Sequence, residues 1–308
     1  MVNGMESPRP LLATVLETRN YVVGSANAAS GLYRYTDAGW AHEGWRNARA
    51  AAVARDASAV FVASGNGVLR SRDGGATWRV TTDWRICEVL DVALDPFAPG
   101  RVVAATAYGL WHSPDGGETW EALPAAGSHP NATFTPALVL DARRSGRIVI
   151  GTEDGLFESG DSGQTWQAVG PRVAIRAIAQ SGAAPGLWLA GTDGHGVLRS
   201  TDDAATWTAH AGGSIAYAVA IDPTDPRRMA AAGIGAGLLR STDGGHHWQP
   251  QPLDVPASAL HALAFDPHHA GRLWLGTVGE GVFVTDDLGA TCRDAGLPEA
   301  TVYALSFA

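Results

Sequence analysis

Lysine does not occur in these 308 residues; all 22 strong bases are arginine, set against 31 Asp and Glu for a formal net charge of −9. A chain so short of positive charge offers no basic face to a phosphate backbone, which argues against nucleic acid as a partner. Cysteine is nearly absent too, with only Cys87 and Cys292, so there is no disulfide framework. No apolar run reaches membrane-spanning length, so no membrane span is expected. Met1–Pro10 has neither a charged n-region nor an apolar h-region. No signal peptide is therefore visible, and a cytoplasmic chain is expected, the alternative being a secreted form whose leader has been removed. The sequon Asn131-Ala132-Thr133 matters only in a glycosylating pathway. Nothing in the composition calls for a cofactor.

What the chain has in plenty is one phrase. Ser71-Arg72-Asp73-Gly74-Gly75-Ala76-Thr77-Trp78 returns as Ser113–Trp120, Ser159–Trp166, Ser200–Trp207 and Ser241–Trp248, with a worn copy at Thr285–Cys292 and a shortened one at Asp37–Trp40. The repeated Asp residues are 42, 46, 41, 41 and 44 positions apart from Asp73 to Asp287. Each position has a physical reason. The carboxylate accepts backbone N–H groups just ahead and closes a turn. The glycine two residues on suits φ > 0. Thr opens the returning strand, and Trp is a large wedge to press on the next sheet. A turn residue repeated in this way reads as a fold device rather than as a catalytic group.

A period of about 40 to 50 residues is that of propeller blades. The chain is therefore expected to be all-β: one seven-bladed β-propeller of four-stranded antiparallel blades. The blades fall at about 10–46, 47–86, 87–132, 133–173, 174–213, 214–256 and 257–300, with a closing strand at 301–308. Each unit reads as an apolar strand, an Asp-Pro or similar turn, a second strand ending in a small pair such as Gly-Thr, a Gly-containing loop, a third strand, the phrase and a fourth strand. On this plan Cys87 and Cys292 lie too far apart for a disulfide, so two free thiols are expected, with Cys292 standing in for the wedge Trp. Blade 1 is eroded; Leu11–Leu16, Tyr21–Gly24 and Leu32–Tyr35 serve as its strands. Val302–Phe307 parallels the first strand Leu260–Phe265, so the C-terminal strand is favoured innermost in blade 1, with the N-terminal strand displaced or paired outside; the alternative is the reverse, with the N-terminal strand innermost.

The pattern Ser-x-Asp-x-Gly-x-Thr-Trp resembles the Asp-box, or BNR, repeat of sialidase-like and sortilin-like β-propellers, and the resemblance covers essentially the whole chain. Relatives of that kind include sialidases, xyloglucan-cleaving hydrolases, sortilin-type receptors and photosystem II assembly factors, whose single seven-bladed propeller is the most similar in size and repeat form. Sialidases carry an Arg-Ile-Pro signature, which does not occur here. The xyloglucan-cleaving enzymes pair two propellers, and this length makes one. The resemblance supplies a scaffold and no catalytic residue.

By analogy between folds, ligands meet the channel mouth, where side chains vary while the scaffold repeats. Aligning first strands on the Asp-Pro column brings Leu12, Ala51, Leu90 and Pro136 into register with Arg176, Tyr217, His261 and Tyr303. The first four are apolar. The last four, from adjacent blades, could bind a carboxylate or phosphate or supply acid–base groups. The alternative is that they line a wet channel. Loops between second and third strands add Asn27, Asn66, Tyr108, Glu153, Asp154, Asp193, His195 and Glu280. Glu153, Asp154, Asp193 and Glu280 could form the paired acids of glycoside hydrolysis, or be solvated surface. His246-His247 and His268-His269 lie on the opposite face. His247 and His269 are weak candidates for a transition metal, with surface histidine the plainer reading.

The sequence thus leads to a rigid propeller binding a protein, peptide or small polar or anionic ligand at its channel mouth. The alternative is a glycoside hydrolase or lyase acting there.

Overall fold

A computed structural model describes residues 9–18, 30–45, 48–234, 237–256 and 259–307. Seven four-stranded antiparallel sheets form the molecule. Blade 7 shows the plan: Leu260–Phe265 innermost, then Leu273–Thr277, Val282–Thr285 and Arg293–Gly296. Each innermost strand neighbours those of the blades on either side, and the strand at Ala300–Phe307 touches both Leu260–Phe265 of blade 7 and Ala50–Arg55 of blade 2, closing the ring.

The closure lies in blade 1, whose order is Ala300–Phe307, Leu11–Thr18, Gly31–Thr36 and Gly39–Glu43. The C-terminal strand is innermost and the N-terminal strand second. Leu12 therefore leaves the channel column in which sequence alignment placed it. It is fully buried in the cluster between blades 1 and 2, because a strand pushed outward by one place has both faces covered by sheet. The strand expected at Tyr21–Gly24 lies outside the described residues, as does Asn27.

In blades 2 to 7 the second strand is buried at every position and, save for a closing Ser or Thr in five of the six, carries no polar side chain, for example Ile148–Thr152 and Met229–Gly233. Neighbouring blades cover both of its faces, so no polar side alternates. The small residue near its end is required where the next blade comes close. A Cβ on Gly191 of blade 5 would sit 2.5 Å from the carbonyl oxygen of Ala216 in blade 6.

The repeated turn closes as its chemistry demands. Asp73 Oδ1 accepts the Thr77 N–H and the Ser71 hydroxyl, and Oδ2 accepts the Thr77 hydroxyl. Ser71 Oγ in turn accepts the Gly75 N–H. The same carboxylate clasp recurs at Asp115, Asp161, Asp202, Asp243 and Asp287. Both residues after the Asp are left-handed, as at Gly74 and Gly75; in blade 5 these are Asp203 and Ala204, at φ 66° and 67°. Seven inter-blade clusters make up the core, and each takes one wedge: Trp40, Trp78, Trp120, Trp166, Trp207, Trp248 and, between blades 6 and 7, Cys292. Each wedge packs back onto the preceding blade. Both thiols are free, and among the described residues no helix is long and apolar enough to cross a membrane.

Candidate functional site

Near the start of an innermost strand the ladder slips by one residue. The slip falls between Ala50 and Ala52, Val89 and Asp91, Ile175 and Ala177, and Leu260 and Ala262. The closing strand slips likewise between Val302 and Ala304, opposite Val15 and Thr14. A bulge of this kind re-aims one side chain. The re-aimed residues are Ala51, Leu90, Arg176, His261 and Tyr303. Pro136 and Tyr217 take the equivalent place just before paired Ala137 and Ala218. These seven line one cavity of about 240 Å³ at the axis. Of the aligned column, only Leu12 is missing. A cavity of about 500 Å³ opens at the other end of the same strands, beside Arg9 and Arg55. It is the larger of the two, and its polar lining, Arg9, Arg55, Asp56 and Ser306, comes from blades 1 and 2 alone.

Within the cup three rings from blades 6, 7 and 1 form a stack. Tyr217 and His261 are parallel, with centroids 4.9 Å apart, and His261 and Tyr303 are tilted at 4.4 Å. Burial lowers the His261 pKa, against hydrogen bonds with the backbone of Tyr303 and of His261 itself that raise it. The imidazole is therefore neutral near pH 7, and its Nδ1 is buried with no hydrogen-bond partner. Burial also pushes the Tyr303 phenol up.

Arg176 is already engaged. Its Nη2 lies 2.6 Å from Asp193 Oδ2 and its Nη1 3.5 Å from Glu153 Oε1. A guanidinium matched by two carboxylates has little left for an anion, so the geometry does not favour the carboxylate or phosphate pocket expected from sequence. Asp154 turns away into a bidentate pair with Arg172, beside a separate cavity next to Gly127 and Ser128. Glu280 and His195 stay in their own turns, each donating its N–H to the Thr that ends the second strand, Thr277 and Thr192. Of the four loop acids, Glu153 and Asp193 thus meet at Arg176, and Asp154 stands apart with Arg172. On the opposite face, His247 Nδ1 lies 2.6 Å from Asp243 Oδ2, filling the place of the clasp Thr, and His269 Nδ1 lies 3.1 Å from Asp266 Oδ2. Among the described residues no group of three or more His, Cys, Asp or Glu is placed to hold a metal.

Sequence reading missed Asp91. It lines the cup from blade 3, where Oδ1 accepts the Val92 N–H and Oδ2 accepts the Leu138 N–H across the blade boundary. Burial raises its carboxyl to about 7, against those two hydrogen bonds. A signal was there to find. The equivalent position in the other six innermost strands is alanine every time: Ala52, Ala137, Ala177, Ala218, Ala262 and Ala304.

The same face carries exposed apolar groups. Trp45 and Trp84 lie in the connections between blades and are 49% and 87% exposed; Tyr108 and Ile234, in second-to-third-strand turns, are 68% and 52% exposed.

No protein-family model matches the chain, and no curated protein matches it. Solved structures do. A GH74 xyloglucanase from Xanthomonas campestris superposes with a TM-score of 0.72 at 21% identity, over 98% of this chain and 52% of that one. YCF48 from Cyanidioschyzon merolae gives 0.62 at 20% identity, over 91% and 96%. YCF48 bound to D1 peptide gives 0.63 at 19%, over 82% and 85%. The chain spans about half the length of the xyloglucanase. At these identities the likeness establishes the propeller fold.

Proposed function

We propose that this chain is a peptide-binding propeller of the Asp-box type. An extended segment of a partner protein crosses the mouth face, resting on Trp84 and Tyr108, and lowers one side chain into the axial cup. The six clasped turns support the Asp-box assignment. The observation that carries the binding reading is that one face holds the polar half of the bulge column, Asp91 and the most exposed aromatics, Trp84 and Tyr108, while Tyr35 and Phe97 on the opposite face are less exposed. Exposed aromatics of this kind mark interaction sites, and a preformed concave cup with a few polar groups suits one side chain better than a whole ligand. That a YCF48 structure is described as bound to a peptide agrees with this use of the scaffold.

The test is a randomised peptide array probed with the wild-type protein and with Trp84→Ala and Tyr217→Ala. Peptides retained by the wild type and lost by both variants support the proposal. Retention unchanged in both variants, with loss on substitution at the outer rim, overturns it.

A second reading keeps one observation in its favour: the Asp91 carboxyl, raised to about 7, and a neutral imidazole line one cup, where each could exchange a proton with a bound molecule near neutral pH. Against glycoside hydrolysis, Asp91 is the one carboxyl lining the cup, whereas that chemistry ordinarily takes two. Turnover of a polysaccharide panel by the wild type, abolished in His261→Ala, would establish the enzyme.

A further inference from the structure

Asp91 is the residue the scaffold does not explain. A clamp on the Leu138 N–H is useful, but the other blades manage with alanine at that position. In a ring of seven, blade 3 lies opposite blades 6 and 7, so Asp91 lines the cup on the side away from Tyr217 and His261. Its two hydrogen bonds occupy one lone pair on each oxygen, leaving one on each for a donor. His261 Nδ1, also without a partner, accepts when the ring proton resides on Nε2. Asp91 and His261 thus offer acceptors, while Arg176 Nε, likewise buried without a partner, is a donor. Permanent positive charge near the rim comes from Arg176, offset by Asp193 and Glu153, and from Arg49, which acts on the Tyr303 phenol.

We infer that the cup is a cation site: it takes the ammonium or guanidinium head of a basic side chain on the bound peptide, between Asp91 and the Tyr217–His261–Tyr303 stack. This rests on the peptide-binding reading and names the side chain that anchors it. A volume of about 240 Å³, about eight waters' share of liquid, holds the end of a lysine or arginine but not a sugar chain. Bringing in the cation ionises Asp91. Below neutral pH the carboxyl releases its proton to solvent as the ligand enters, so binding weakens as pH falls. Arg176, Tyr217, His261 and Tyr303 are the other titratable groups lining the cup; blades 2 and 4, which flank the Asp91 strand, present only apolar residues to it. Protonation of His261 at low pH would repel the ligand and act in the same sense, so the two contributions are separated by substitution.

The probes are two capped decapeptides of Gly and Ser with a central lysine or a central norleucine, titrated by NMR and calorimetry. The protein has no lysine, so the probe supplies the only ε-ammonium in the sample. The lysine peptide is expected to bind at least about tenfold more tightly than the norleucine peptide at pH 8. Its affinity should fall roughly tenfold between about pH 8 and pH 6, with proton release at pH 6 seen as a dependence of the heat on buffer. Asp91→Asn, which keeps an oxygen for the Leu138 N–H, should lose both the preference and the pH dependence, whereas His261→Gln should keep the pH dependence. Equal binding of the two peptides, an affinity flat with pH, or an Asp91→Asn variant that retains the preference overturns the inference. If both peptides bind at the mouth without discrimination, the cation site falls and the peptide-binding reading stands. If neither binds there, the cation site falls and the array decides the wider reading.

Discussion

Replacing Asp91 by Asn should make the protein more stable, and by an amount that depends on pH. The carboxyl sits at about 7 in the fold against an ordinary value of 3.8, with burial as the leading cause. The folded value is the higher one, so the unfolded chain ionises first as pH rises. Stability is therefore unaffected below the ordinary value, falls steadily between that value and about 7, and stays depressed above it. At about 1.4 kcal/mol per unit, keeping this carboxylate in the channel costs about 4 kcal/mol once it is fully ionised. Asp91 is half-buried, and water entering the channel screens it, so this is an upper figure. Asn is uncharged throughout and retains an acceptor for the Leu138 N–H. Urea unfolding of both proteins at a series of pH values measures the difference. The variant should be nearly matched with wild type at about pH 4 and more stable by about 2 to 4 kcal/mol at about pH 8. A difference constant over that range would refute the reasoning, because it would mean that the Asp91 carboxyl titrates as it does in water.

Other expectations follow from the scaffold. Hydrogen bonds from Thr hydroxyls and backbone N–H groups hold the clasp carboxylates Asp73, Asp161 and Asp202 at about 2; these depressed values contribute stability above the ordinary carboxylate range, lost as pH falls towards about 2, so acid unfolding monitored by circular dichroism should steepen there. Trp207→Ala removes a half-buried wedge and its bond to the Ala204 carbonyl, and should cost about 2 kcal/mol in denaturant unfolding, less than a fully buried Trp. Gly233→Ala places a Cβ against the Ile215 carbonyl oxygen and should cost about 1 to 3 kcal/mol or more, visible as a lowered midpoint. Burial, aided by Asp254 and Asp287, pushes the Cys292 thiol up to about 11, so iodoacetamide at pH 8 should modify it slowly in the native protein and at an ordinary rate in denaturant.

The repeat made the blades legible because each clasped turn needs the same few residues at the same spacing, and a period survives even where one copy ends in Cys292. The channel column was legible for a related reason: Arg176, Tyr217, His261 and Tyr303 each lie five residues before the turn that fixes the strand's end, or align with residues that do. The bulges that aim them were not, since a one-residue slip leaves no mark on residue type. Leu12 was misplaced because two strands competed for one inner position, and only the pairing of Leu11–Thr18 with Ala300–Phe307 decides between them. The loop acids look alike in sequence, yet Asp154 meets Arg172 while Asp193 and Glu153 meet Arg176, a division set by where the arginines stand in space. Asp91 could have been found: searching a column for polar residues favours columns that vary, and this one is alanine save for a single carboxylate.

The most direct test of the account is a crystal structure of the protein with an array-selected peptide bound. It should show the chain crossing the mouth face over Trp84 and Tyr108, with one side chain in the cup among Tyr217, His261, Tyr303 and Asp91. A peptide seated on the outer rim of the blades, or at the Arg9 and Arg55 end of the channel, would contradict it.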